Sequence, residues 1–281
     1  LSSTIISPST KKLIADFSAA YGNVMHVQMD AVSYSGILDA NEASFGVRVL
    51  PTYSFDKAEV IVSFGADFLG NWIGADYSIG YTKARNPKMH KMAKHYQVES
   101  TLSLTGSNAD ERIQIKPSEQ AALLSNLYSA LNGTVAADIR IEKIVNDLTN
   151  SMGKSIVVCN SNDVKVQTLV NAINNKLGNY ENTLSLSSPS YLKQGNDVQV
   201  AALIEEMNQG NIASLITYNV NPSYTLQNYD GYNTGIEKVE LTIATSLYND
   251  ESLTNPKTGA SRMMYALPDN HYLESWGDAN P

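Results

Sequence analysis

The chain has 281 residues, 43% of them hydrophobic and only 17% charged, which excludes a disordered polymer and favours two compact units. The formal net charge is -8, and the 20 basic residues form no long stripe, which argues against nucleic acid as a partner. The longest apolar runs are too short to span a bilayer, so we expect no direct membrane insertion.

Cys159 is the only cysteine, and it ends an apolar run, which predicts a small buried side chain. A single thiol excludes an internal disulfide. It also excludes an iron-sulfur cluster held by this chain alone, because such a cluster takes about four thiolate ligands. The chain begins at Leu1 without an initiator methionine or a leader. We therefore expect a fragment whose targeting signal lies upstream.

Hydrophobic periodicity in the first half predicts strands that alternate with amphipathic helices. In chain order, the predicted elements are a helix from Ser7 to Gly22, strands at 24–29 and 59–64, an irregular or helical stretch at 70–95, strands at 96–104 and 112–116, and a helix that Pro117 and Ser118 begin. Residues 31–53 show no clear period.

The second half repeats the same alternation. Its predicted elements are a strand at 156–159, helices at 166–177 and 198–207, and strands at 212–218, 239–245 and 263–267. This order predicts an α/β fold of two Rossmann-like units with mostly parallel sheets. The periodicity is weakest around 132–138, which places the predicted boundary between units 1–134 and 135–281.

Two loops follow apolar strands and are candidates for a ligand site. In open α/β sheets, ligands bind beyond the carboxyl ends of the strands, at a switch point in the strand order. The loops at 63–70 and 217–223 contain small or turn-forming residues, which allow backbone N–H groups to approach a phosphate. Gly65 and Gly70 do not form a G-x-G-x-x-G pattern, so an ordinary NAD site is disfavoured.

The residues of these loops resemble a known family. The run at 58–70 is similar to the strand and loop of the dimethyl-sulfoxide-reductase superfamily, in which a glycine-containing loop faces a pterin. Further segments resemble that family in the same order, at 99–101, 109–111, 115–123, 177–179, 219–222, 267–268 and 271–278. Residues 66–70, 103–110 and 271–278 are together similar to the molybdopterin-like part of the iron-sulfur subunit of bacterial alternative complex III.

The resemblance covers about residues 7–281 and implies a fold like the central domains of formate dehydrogenase and dimethyl-sulfoxide reductase. In that superfamily, each unit holds half of a molybdopterin guanine dinucleotide. In the alternative-complex members, this part carries no molybdenum. The site that the resemblance implies, as a vestigial pterin site, comprises Phe64, Gly65, Ala66, Asp67, Glu99, Ser100, Thr101, Gln120, Asn219, Asn221, Pro222, His271 and Glu274.

The sequence departs from the catalytic pattern of this superfamily at three points. Gln120 stands where the family has an aspartate that reads guanine, and Ser118 stands where it has a glycine. Glu99-Ser100-Thr101 replaces an Asp-Pro-Arg segment, which removes a guanidinium that would bind a pyrophosphate. We therefore expect this chain to bind no cofactor, with molybdopterin guanine dinucleotide the expectation if the family site is functional.

The resemblance thus implies a non-catalytic region of an oxidoreductase complex. Its partners would be the iron-sulfur domain of the same subunit and other subunits of a quinol-oxidising, membrane-bound respiratory complex. The implied location is the periplasmic side of the bacterial inner membrane. Two alternatives stay open, an active molybdopterin enzyme and a nucleotide- or sugar-phosphate-binding module that uses the loops at 63–70 and 217–223.

Other candidate residues give weaker indications. The four histidines are too scattered for a zinc site, and His90 and His95 lie in a basic segment that is typical of a surface. Asp67 and Asp110 offer an acid and base pair, although an aspartate after a strand is more often a helix cap. A metal ligand of the superfamily would fall near Ser33 to Ser35, where there is no cysteine. The sequence shows no ordered set of a nucleophile, a base and an orienting acid, so nothing in it supports a hydrolase.

Overall fold

A computed structural model describes residues 1–88, 92–246, 248–255, 258–268, 273 and 277–279. The chain divides into two compact units. The central unit comprises Tyr34–Leu192, and the terminal unit combines Leu1–Ser33 with Lys193–Pro281.

Helices and strands alternate along most of the chain. The helices are α1 (Pro8–Tyr21), α2 (Ser35–Phe45), α3 (Ser78–Ala84), α4 (Leu104–Ser107), α5 (Gln120–Leu131), α6 (Ile139–Asn150), α7 (Val164–Lys176), α8 (Asp197–Gln209), α9 (Pro222–Thr225) and α10 (Tyr229–Ile236). The strands are β1 (Leu50–Tyr53), β2 (Val60–Phe64), β3 (Lys94–Glu99), β4 (Glu111–Gln114), β5 (Ser155–Cys159), β6 (Leu184–Ser190), β7 (Ser214–Tyr218), β8 (Leu241–Thr245) and β9 (Tyr265–Leu267). Within the described ranges, no helix is both long enough and apolar enough to cross a bilayer.

The central unit is built on a four-stranded parallel sheet in the order β4-β3-β2-β5. Renumbered within the sheet, this is the order 3-2-1-4 of a doubly wound fold, with the switch point between β2 and β5. Both faces of the sheet are covered. Ile61 and Ile156 pack into one core, and Val62 and Val157 pack into the other. Successive side chains of each strand therefore enter opposite cores, as the pleat requires.

The terminal unit has its own three-stranded parallel sheet, in the order β7-β8-β9. Its core joins α8 and α10 to the sheet, with Tyr232, Met207 and Leu215 fully or nearly fully buried. The α1 helix begins after the Ser7 cap and ends at Gly22, as its sequence predicts. The α/β class with mostly parallel sheets is therefore confirmed.

Local structure differs from the sequence-based predictions in several places, of which two precede the central sheet. The strand predicted at 24–29 is only an isolated bridge between Gln28 and Ser2. The aperiodic stretch at 31–53 contains α2 and β1. This stretch has no clear hydrophobic periodicity because the residues that α2 buries include small and polar ones, such as Gly36 and Asn41. Gly36 is closely packed, since a Cβ there would overlap the backbone of Asn162.

The division into units does not fall at the predicted boundary of 134/135. Strand β5, which follows that position, pairs with β2, which precedes it. Both strands therefore belong to one sheet, and the chain leaves the central unit only after Leu192. The terminal unit is discontinuous in sequence, which a search for the weakest local periodicity does not detect.

Candidate functional site

A polar cleft of about 380 Å³ lies at the carboxyl ends of the strands in the central unit. Gly65 and Asp67 follow β2, and Asn160 follows β5, so the cleft lies at the switch point of the sheet. Its lining consists of Gly65, Asp67, Glu99, Ser100, Thr101, Ser103, Ile115, Pro117, Gln120 and Asn160.

Six residues of the predicted site line this one cleft, namely Gly65, Asp67, Glu99, Ser100, Thr101 and Gln120. Phe64 and Ala66 do not, because their side chains are buried in the two cores on either side of the sheet. The structure thus separates the loop into core residues and cleft residues. This separation follows the alternation of side chains along a strand and its continuation.

Gly65 allows the backbone to turn at the end of β2. Its φ is +69°, a conformation that L side chains rarely adopt, and its N–H donates to the carbonyl of Val98 at 2.8 Å. A Cβ at this position would lie 2.8 Å from Oδ1 of Asn160. The glycine is therefore required both by the turn and by the close approach of Asn160.

Asp67 is held in place at the cleft by a backbone donor. Its Oδ1 accepts a hydrogen bond of 2.9 Å from the N–H of Thr105, in the first turn of α4. The Thr105 hydroxyl accepts from the N–H of Leu69 at 2.9 Å, which fixes the same loop from the other side. Gly70 leaves room for the carboxylate, because a Cβ there would overlap Oδ2 of Asp67.

Glu99 carries a charge that is neutralised within the protein. Its side chain is 4% exposed, and Oε1 accepts from Nε of Arg112 at 2.6 Å. The Ser103 hydroxyl and the Gln97 amide donate to Oε2 at 2.6 and 3.0 Å. Burial alone would raise the pKa of Glu99, but the hydrogen bonds from Ser103 and Arg112 outweigh it and lower the pKa below its ordinary value.

Gln120 and Asn160 close one side of the cleft. Nε2 of Gln120 donates to the carbonyl of Phe64 at 2.8 Å and to Oδ1 of Asn160 at 3.0 Å. Asn160 was not among the predicted site residues, nor were Ser103, Ile115 and Pro117. A usable signal existed for Asn160, because it is a polar residue directly after a predicted strand, at the edge where ligands bind.

The charges of the cleft do not fit the pyrophosphate of a molybdopterin guanine dinucleotide. The lining contains two carboxylates, Asp67 and Glu99, and among the described residues no lysine or arginine lines it. Arg112 is committed to Glu99. A dianionic linker would therefore lack a charge-assisted partner and would face the negative charge of Asp67.

A row of polar side chains runs from the cleft along one face of β3. Glu99, Gln97 and His95 alternate along this strand, and Gln97 and His95 are completely buried. Nδ1 of His95 lies 3.0 Å from the Tyr81 hydroxyl. Asp110 accepts from the N–H of His95 at 2.7 Å and pairs with Arg85, so it is not free to act as a base with Asp67.

We expect His95 to make the fold sensitive to mild acid. Burial lowers the pKa of His95 from 6.5 to about 4, so the unfolded chain binds a proton at higher pH than the folded chain does. The free energy of unfolding should therefore fall as the pH is lowered from about 6.5 to about 4. Urea unfolding across this range measures the slope. His95→Gln should have a shallower slope, and an unchanged slope would contradict the assignment.

The second predicted loop lies in the terminal unit, and its residues are not among those that line the cleft. Asn219 has a φ of +53°, and its amide donates to the Ser3 hydroxyl at 3.0 Å. The amide of Asn221 donates to Glu251 at 2.8 Å, and Pro222 begins α9. The bonds of Asn219 and Asn221 hold the loop together locally. His271 and Glu274, also predicted, lie outside the described residues, as does His90.

The serines at the expected metal position make ordinary side-chain hydrogen bonds. The Ser33 hydroxyl donates to Asp197 at 2.7 Å, and the Ser35 hydroxyl donates to Asp39 at 2.9 Å. In the part of the chain that the structure describes, no three histidine, cysteine or acidic side chains are grouped so that they could hold a metal ion.

The fold and cleft define the class of this protein, a mixed α/β protein with a Rossmann-like parallel sheet and a polar switch-point cleft. No protein-family model matches the chain, and no curated protein matches its sequence. Its structure is similar to that of acetylene hydratase from Pelobacter acetylenicus, with a TM-score of 0.58 and 11% identity. The match covers 87% of this chain and 45% of that chain, so the chain spans less than half of its structural relative.

Proposed function

We propose that this chain is a molybdopterin-oxidoreductase-like region that serves as a non-catalytic scaffold in a quinol-oxidising electron-transfer complex. Acetylene hydratase is a molybdenum/tungsten enzyme of the dimethyl-sulfoxide-reductase family, the superfamily that the sequence also resembles. The likeness in fold supports the oxidoreductase-like architecture. Membership of a complex is the further step, and it rests on the resemblance of the sequence.

The observation that carries the non-catalytic part of the proposal is that no lysine or arginine is among the described residues that line the cleft. Thr101 stands where the superfamily has an arginine that would face a pyrophosphate, and the charge of Glu99 at the end of β3 is satisfied by Arg112 and Ser103. These bonds stabilise the protein itself, so that Arg112 is not available to a ligand and the described lining holds no other cation. A region that keeps the fold but offers an anionic cofactor no cation in its described lining is suited to structural support.

The proposed partners are the iron-sulfur domain of the same subunit and other subunits of the complex, at the periplasmic side of the inner membrane. In this role, the two α/β units would provide surface for packing. The active-enzyme alternative requires a pterin dinucleotide in the cleft, and the negative charge of Asp67 opposes its pyrophosphate.

Metal analysis of the tagged full-length subunit, purified from membranes of the source organism, tests this proposal. We expect molybdenum and tungsten far below one atom per chain, together with iron from co-purifying redox subunits. An untagged strain serves as the control for background metal. One molybdenum or tungsten atom per chain would contradict the scaffold role, and a metal-free protein that purifies without redox partners would contradict membership of the complex.

A further inference from the structure

Among the described residues that line the cleft, one carboxylate is available to a ligand, that of Asp67. Both oxygens of Glu99 accept hydrogen bonds within the protein, and its side chain is almost fully buried. Asp67 is held through Oδ1 by Thr105, while its Oδ2 has no hydrogen-bond partner in the described part of the chain. A ligand that donates hydrogen bonds would therefore meet an oriented acceptor.

Uncharged polar groups complete the lining around Asp67. Ser100 and Thr101 are exposed, and within the described ranges their hydroxyls make no side-chain hydrogen bond. Nε2 of Gln120 donates to Oδ1 of Asn160. The side-chain carbonyl oxygen of Gln120 accepts no hydrogen bond from the described residues. The lining thus combines a fixed anion with hydroxyl and amide groups that can both donate and accept.

This set of groups selects for one kind of ligand. A phosphorylated ligand would bring negative charge close to Asp67, with no cation in the described lining to offset it. A purely apolar ligand would leave the carboxylate and the amides without partners, which is costly in a closed site. A ligand with two neighbouring hydroxyl groups avoids both problems. Its hydroxyls can donate hydrogen bonds to the carboxylate of Asp67, which satisfies the ligand's donors and the carboxylate's lone pairs.

We propose that the cleft binds an uncharged small molecule with adjacent hydroxyl groups, the chemistry shared by the ribose of a nucleoside and by a free sugar, with Asp67 as the principal acceptor. The cleft volume of about 380 Å³ suits a ligand of this size. This inference is independent of the scaffold role, because a small ligand in the cleft is compatible with a protein that carries no pterin.

Melting-temperature measurements on the full chain test the proposal with four probes. These are adenosine, 2′-deoxyadenosine, adenosine 5′-monophosphate and glucose, each at up to about 10 mM, where even millimolar binding stabilises the folded state. We expect a concentration-dependent rise with adenosine or with glucose, and which of the two acts identifies the source of the diol. We expect a smaller rise with the monophosphate and with the deoxynucleoside than with adenosine.

The variant Asp67→Asn separates binding from folding. Its amide oxygen can still accept from Thr105, so the loop should persist, while the affinity for the active probe should fall at least about tenfold. Asp56→Asn, an exposed aspartate in the same unit, is the matched control and should bind as the wild type does. If Asp67→Asn fails to fold, Thr101→Ala takes its place. This variant removes an exposed hydroxyl from the lining and should weaken binding of the active probe.

Several outcomes would overturn the proposal. These are no rise with either adenosine or glucose, an equal rise with 2′-deoxyadenosine and adenosine, and a larger rise with the monophosphate than with adenosine. Wild-type affinity in a folded Asp67→Asn protein would also overturn it.

Discussion

Phe64→Ala is expected to lower the free energy of unfolding by about 3–5 kcal/mol, because it removes a large side chain from a packed core and leaves a cavity. Phe64 is 0% exposed and packs in the same core as Val62 and Leu124. Urea unfolding monitored by circular dichroism measures the loss.

The control for this change is Val135→Ala, at a position that is 89% exposed in the same unit. It should alter stability by less than about 0.5 kcal/mol. A loss of less than about 1 kcal/mol for Phe64→Ala would contradict the assignment of this residue to the core. The result would separate a structural role for Phe64 from the ligand-facing role that the family resemblance implies.

Arg112→Met is expected to destabilise the protein by about 3–5 kcal/mol at neutral pH, because it leaves the buried carboxylate of Glu99 without its cation. The methionine keeps much of the apolar stem, so the change removes mainly the charge. The double variant with Glu99→Gln should recover part of the loss, since it removes the unpaired charge. Denaturant unfolding of the two single variants and the double variant measures this coupling.

The dependence of this effect on pH has a definite sign. In the wild type, the pKa of Glu99 is lowered on folding, so its contribution to stability is present above the ordinary carboxyl pKa and is lost as the pH falls through the lowered value. Without Arg112, burial favours the protonated form, so the deficit of Arg112→Met should shrink in acid. A deficit that is independent of pH and is not relieved by Glu99→Gln would show that only packing was lost.

Much of the sheet could be predicted from local sequence. Strands β2 and β5 are mostly apolar and buried on both faces, and each is followed by a residue suited to a turn, Gly65 and Asn160. The helix that begins after Pro117 follows the usual signals of a start and an apolar stripe. The alternation of these elements was sufficient to predict the α/β class.

The pairing of strands across the sheet was harder to predict. Arg112 lies opposite Gln97 in the register between β3 and β4, which brings it to Glu99. Nothing within a local window specifies that register, so Glu99 could be identified as a residue of the strand end but not as one half of an ion pair. The discontinuous terminal unit escaped prediction for the same reason, since its two segments meet only through tertiary contacts.

The two candidate loops illustrate the limit of predicting a site from the position of a loop after a strand. Both follow strands, as predicted, but the cleft is lined by the first loop, whereas Asn221 in the second donates to Glu251 of its own unit. A loop position after a strand indicates where a ligand can bind. It does not show whether the polar groups of the loop remain available.

Native mass spectrometry of the protein, purified from its source organism without denaturant, measures most directly whether the cleft holds a pterin dinucleotide. We expect the mass of the polypeptide with no molybdopterin guanine dinucleotide attached, because Asp67 brings negative charge to the cleft and no lysine or arginine is among the described residues that line it. A species heavier by one such dinucleotide, with or without its metal, would contradict the scaffold function.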